Sequence, residues 1–158
     1  MDCDNADPRG KRLCKPDTPF YLSSKGPSAT IVAYSGLDSP NALIIGQIQL
    51  KNAREFCHRD PGGDTVKYGG KITFSQCVNQ VLSEEKGKKY HARTNCQEGR
   101  ISDPWGDQYM LKQKKWEGSY WDYVWIDDKN GSVLDGSSAS GATVITKLYK
   151  VLCAAASR

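Results

Sequence analysis

The chain lacks the features that would place it across a bilayer or around a metal. No apolar run approaches the roughly 18 residues that suggest a membrane span, and mean hydropathy is low at −0.62. Histidine is nearly absent, with only His58 and His91, and none of the six cysteines forms a CxxC pair. The clustered Cys and His ligands of tetrahedral zinc sites are therefore missing, and neither metal nor cofactor is expected. The opening residues MDCDNADPRG carry no basic n-region and no apolar h-region, so an exported form is expected to have lost its signal peptide. Internal repeats and low-complexity tracts are not evident.

What is there is a chain of 158 residues, 38% hydrophobic and 25% charged, long enough for one domain with a core of its own. The pattern predicts a water-soluble globular protein. Its cysteines, Cys3, Cys14, Cys57, Cys77, Cys96 and Cys153, are even in number and spread from end to end. With zinc patterns absent, three disulfides are the expectation, and they point to an oxidising compartment, periplasmic or extracellular. Six cysteines allow fifteen pairings. The expected set is Cys3–Cys14 within a polar N-terminal tail over residues 1–18, then Cys57–Cys77 and Cys96–Cys153 within a single globular domain over 19–158.

Short apolar runs separated by Ser, Gly and Pro clusters read as strands: FYLS, ATIVAY and ALIIGQIQL in the first third, then KYHARTNC, DQYMLKQKKW, YWDYVWID and SVLDG. Between them the period lengthens. Leu50, Ala53, Phe56 and Cys57 have helical spacing, and RDPGGD stops that helix. Thr73 and Gln76 fit a capping box, Phe74, Cys77, Val78, Val81 and Leu82 form one stripe, and Gly87 suits the C-terminal cap. Asn130-Gly131 predicts a two-residue type I′ hairpin turn. In the last segment, GATVITKLYKVLC, the β-branched run Thr143 to Thr146 favours a strand, although Val144, Ile145, Leu148, Tyr149 and Leu152 also fit a helix. The expected fold is α+β: a curved antiparallel sheet, open to closure as a partial barrel, with helices near 50–59 and 74–86 and disulfide staples.

Familiar catalytic motifs fail on inspection. HRDPGGD, His58 to Asp64, contains a kinase-like tripeptide with none of its companions, in a chain too short for a kinase. GSSASG places Ser140 where a nucleophile elbow needs glycine, and both histidines precede the serine. DDKNG, aligned on Gly131 as the sixth residue of a calcium loop, puts Ile126 and Ser137 where carboxylates belong. His91, flanked by Lys89 and Arg93 on one strand face, could act as a base in phosphodiester chemistry with His58 as acid, but no spacing demands it.

Charge and aromatic rings remain. The net charge is +4, and the segment from Lys86 to Trp116 holds eight basic residues against three acidic, a local +5. Such a segment is either a solvated face or an anion-binding surface. In YWDYVWIDDKNG, strand alternation puts Trp121, Tyr123 and Trp125 on one face, where rings about 6.6 Å apart could plug the core or stack along a chain of sugars. The candidate ligand-binding residues are these three rings, Trp116, Lys112 and Lys114 on the neighbouring strand, His91, and Ser138 in the serine-rich loop. No catalytic residue is assigned. The function expected is an exported, non-enzymatic binding module for a polymeric or anionic ligand such as a cell-envelope glycan, with nucleic acid not favoured. The run GSSASGATVITKLYKVLC resembles the close of small periplasmic lysozyme inhibitors, over less than a fifth of the chain. That resemblance implies a closing strand and a rival function, an inhibitor or immunity-type protein acting on a secreted enzyme, although a basic chain complements a basic lysozyme poorly. A small secreted hydrolase or nuclease is the third reading.

Overall fold

A computed structural model describes residues 5–6, 12–13, 18–23, 26–59, 72–113, 123–134 and 141–155. The expected Cys3–Cys14 bridge lies outside this set, and of the N-terminal tail only Thr18 and a two-stranded ladder of β1 (Asn5–Ala6) and β2 (Arg12–Leu13) are within it. The other strands are β3 (Pro19–Phe20), β4 (Ala29–Ser35), β5 (Ala42–Gln47), β6 (Tyr90–Asn95), β7 (Arg100–Ser102), β8 (Gln108–Gln113), β9 (Val124–Asp127) and β10 (Val133–Leu134). They form one antiparallel sheet curled into a half-barrel, ordered β10-β9-β8-β7-β6-β5-β4-β3, so each strand pairs with its neighbours in sequence. Helices α1 (Leu50–Arg59) and α2 (Phe74–Glu85) lie in the excursion between β5 and β6, and α3 (Ala142–Leu152) follows β10. The α+β class is as expected, with a third helix added among the described residues.

Alternation sorts the sheet into two faces. Ala42, Ile44 and Gly46 of β5, Ala92 and Thr94 of β6, and Ile101 and Trp125 are buried, while Leu43, Ile45 and Gln47 are half-buried on the opposite face. Gly46 is needed where it stands, because a Cβ there would come within 2.5 Å of the Phe20 ring. The buried face meets the helices in one continuous core.

In α1 the polar Asn52 is buried, and its Oδ1 accepts from the Gln49 N–H at 2.8 Å and the Thr30 hydroxyl at 3.0 Å, tying the start of the helix to β4. Ala53 and Cys57 are buried as the stripe predicts, but Leu50 is exposed. The α2 capping box is present in both directions, with Gln76 N–H to Thr73 Oγ1 at 3.1 Å and Thr73 N–H to Gln76 Oε1 at 2.8 Å. Phe74, placed in the α2 stripe by spacing, is exposed at the first turn. Cys57–Cys77 staples the two helices, and Cys96–Cys153 joins the end of β6 to the end of α3.

Two expectations need correction. The Asn130-Gly131 hairpin forms, pairing Val133 with Ile126, but through a four-residue loop closed by the Asp127 N–H to the Ser132 carbonyl. Only Gly131 takes positive φ there, at 72°, so the turn is not type I′. The segment leaning to a strand at Thr143–Thr146 is helix throughout. Ala142, Ile145, Thr146, Leu148, Tyr149 and Leu152 are buried at helical spacing, and burial of that stripe overrides β-branched propensity. The closing strand implied by the lysozyme-inhibitor resemblance is therefore replaced by a helix.

Candidate functional site

Of the expected ring platform, Tyr123 and Trp125 are buried, Trp125 completely. Trp121 lies outside the described residues, as do Trp116, Lys114 and Ser138. The two visible rings belong to the core. Trp125 meets Tyr149 of α3 edge-on at 5.2 Å, Tyr123 meets the same ring at 6.1 Å, and the Thr146 hydroxyl accepts from both Trp125 Nε1 and the Tyr123 N–H at 3.1 and 3.2 Å. The face on which alternation places them is thus the one α3 covers, and a surface platform built on Tyr123 and Trp125 is excluded in this fold. The sequence allows both readings of the row, core plug and platform, and leaves them open because the covering helix is the segment that leans to a strand.

The opposite face carries the basic residues. His91 is exposed on β6, two residues before Arg93 and on the same face, opposite Ile45. Lys112 is exposed near the end of β8, and His58 sits exposed on α1. Cross-strand pairing sets Leu43, Arg93, Ser102 and Gln108 in one row, and Asn95, Arg100 and Met110 in the next. Between these rows lies a cleft of about 220 Å³. Arg93, Asn95, Arg100, Ser102 and Gln108 project around it, Pro40 and Asn41 wall one end, and Ala42, Thr94 and Ile101, whose side chains are buried, supply its floor.

The chemistry of this cleft is donor-rich. Two guanidiniums, the three amides of Asn41, Asn95 and Gln108, and the Ser102 hydroxyl line it, and no carboxylate is among its described lining residues. The Asn95 Oδ1 is already occupied by the Gln97 and Glu98 N–H groups, both at 3.0 Å, which leaves its NH2 as the available group. Arg100 is held by Asp128 at 2.8 Å and, more loosely, by Glu98 at 3.9 Å. Arg93 has no ion pair among the described residues. Planar guanidiniums bind carboxylates and other oxyanions through paired, charge-assisted hydrogen bonds.

The wall is firmly anchored. Asp38, in the turn that leads to Pro40, adopts φ 66°, a conformation rare outside glycine. Its N–H donates to the Leu152 carbonyl at 2.9 Å, its carboxylate accepts from the Ala155 N–H at 2.9 Å, and the Cys96 N–H donates to the Ser39 carbonyl at 3.1 Å. The Cys96–Cys153 bridge spans the same junction.

Negative charge collects elsewhere. Burial pushes the Tyr109 phenol up to about 12, with Asp103, Asp107 and Asp127 adding repulsion. Burial likewise raises the Asp103 carboxyl above its ordinary value, against the lowering effect of backbone donors from Asp107 and Trp105. Tyr90 is also pushed to about 12, by burial and then by its hydrogen bond to Glu85. The turn at Asp103–Asp107 presents Trp105, 58% exposed and 6.2 Å from the Tyr90 ring. Among the described residues no His, Cys, Asp and Glu cluster could hold a metal, and no helix is long and apolar enough to cross a membrane.

Sequence reasoning finds Arg93 and Arg100 as members of the basic segment but misses Asn41, Asn95, Ser102 and Gln108. Strand β7 is the reason: at three residues, Arg100–Ser102, it is too short to show alternation, and without it the two rows cannot be aligned. No family model, curated protein or solved structure matches the chain.

Proposed function

We propose that this chain is an exported, non-enzymatic binding module that holds an anionic glycan of the cell envelope in the cleft between the Arg93 and Arg100 rows. One observation carries the reading: a cleft on the sheet face opposite the core, lined by two arginines and neutral polar side chains, without a described carboxylate in its lining. The guanidinium of Arg93, without an ion pair among the described residues, supplies the attraction, while Asn95, Ser102 and Gln108 offer the polar groups that sugar hydroxyls require. Lys112, exposed on β8, adds to the positive field. Two disulfides among the described residues agree with an oxidising compartment.

The test is calorimetric titration of the protein with an oligogalacturonate at several salt concentrations. Arg93→Ala is expected to cost about 1.5–3 kcal/mol of binding free energy, the scale of a hydrogen bond to a charged group. Binding should weaken as added salt shortens the Debye length below about 8 Å. Affinity indifferent to both the substitution and salt would remove the cleft as the binding site.

A further inference from the structure

The two arginines of the cleft are not equivalent, and the difference bears on which anion fits. Arg100 Nη1 lies 2.8 Å from Asp128 Oδ2, whereas Arg93 has no such partner among the described residues. Asp128 is held in place by the backbone, its N–H donating to the carbonyl of Gln108 at 2.9 Å, and Gln108 itself lines the cleft. The pair is half-exposed, with 46% and 30% of the two side chains accessible. Ion pairs this open to solvent add little to stability. Its consequence is electrostatic: one of the two guanidinium charges is cancelled at the rim, so the cleft offers donors from both arginines but a single uncompensated positive charge.

Resting on the glycan-binding reading above, we propose that Asp128 is a specificity-determining residue that matches the cleft to one negative charge per bound unit. The cleft then selects a sugar carboxylate, as in a uronate, over a sugar phosphate. A carboxylate is fully neutralised by Arg93 and accepts a further hydrogen bond from Arg100. A phosphate monoester carries close to two charges at neutral pH, and its second charge would meet Asp128 in place of a free cation.

The experiment compares glucuronate with glucose 6-phosphate by NMR titration of the wild type, Asp128→Asn, Asp128→Ser and Arg93→Ala. The wild type should prefer glucuronate. Removing the Asp128 carboxylate in either variant, which leaves Arg100 only its looser contact with Glu98 at 3.9 Å, should move the ratio of affinities toward the phosphate by about tenfold, the reach of one charge-assisted contact. Denaturant melts should show both variants folded. An unchanged ratio in folded Asp128 variants, with glucuronate binding still lost in Arg93→Ala, overturns the role of Asp128 and leaves the anionic-glycan reading standing. A wild type that prefers the phosphate likewise overturns it. A wild type that binds neither sugar, whatever the variants do, removes the reading and the proposal together.

Discussion

Trp125 shows how one residue joins the sheet to the last helix. Its ring is fully buried and its Nε1 is satisfied by Thr146, so both its volume and its polar atom depend on α3. Trp125→Ala should cost roughly 3–5 kcal/mol of folding free energy through lost burial and the cavity left behind. Thr146→Val, which keeps shape but removes the acceptor, should cost about 1–3 kcal/mol by stranding the indole N–H. Urea melts of both variants check this, and a near-neutral Trp125→Ala would contradict the assignment of the ring to the core. The phenols give a residue-scale test in pH. Tyr90 and Tyr109 are raised from 10.0 to about 12 in the fold. Below pH 10 both are neutral in the folded and unfolded chain, and their contribution is complete. Between about 10 and 12 the unfolded chain loses these protons first, so stability must fall as pH rises through that window. Denaturant melts at pH 9 and pH 11 should show a loss that is smaller in the Tyr90→Phe, Tyr109→Phe double variant.

The elements differ in how far local sequence determines them. α2 is legible because Thr73 and Gln76 mark its start chemically, and the structure places both in the capping box. At its other end Lys86, not the expected Gly87, is the C-cap, and Gly87 takes φ 76° in the turn closed by the Lys88 N–H to the Glu85 carbonyl. β4, β5 and β6 are legible as short runs bounded by turn signals; burial alternates along β5 and β6, whereas β4 buries Ala29, Thr30 and Ile31 in succession. α3 is not, because Gly141 offers no side-chain cap and the Thr143–Thr146 run carries β propensity. Only the sheet it lands on decides its conformation. The two bridges are legible from spacing and from the helices that carry Cys57 and Cys77, but their consequences differ. Cys57–Cys77 closes 20 residues and Cys96–Cys153 closes 57. In the loop-entropy account the longer loop should stabilise by about 0.9 kcal/mol more. Because it also spans the junction that anchors Pro40 and Asn41, replacing Cys96 and Cys153 with Ala should weaken glycan binding as well as stability. Replacing Cys57 and Cys77 should lower stability alone. Melts and titrations of the two double variants, with binding equally affected in both, would contradict the anchoring role.

At the scale of the whole molecule, strand register decides which charges meet. Arg93 and Arg100 lie on the sheet face away from the core, with Asp128 against Arg100, while Asp103, Asp107 and Asp127 gather around Tyr109. The basic segment is visible in the sequence as eight cations in thirty-one residues, but a count cannot say which of them share a face. That follows from strand register, which joins Arg93 to Ser102 and Arg100 to Met110 across strands. For the same reason alternation groups Tyr123 with Trp125 correctly, yet it does not say which side a distant helix will cover. The proposed anion site is the cleft on this open face, and amide chemical-shift mapping during titration with an oligogalacturonate at low salt tests it. Dose-dependent shifts should concentrate at Asn41, Arg93, Asn95, Arg100, Ser102 and Gln108, with Trp125 and the α3 residues little changed. Shifts concentrated away from these six positions, or saturable binding that leaves them unmoved, would contradict it.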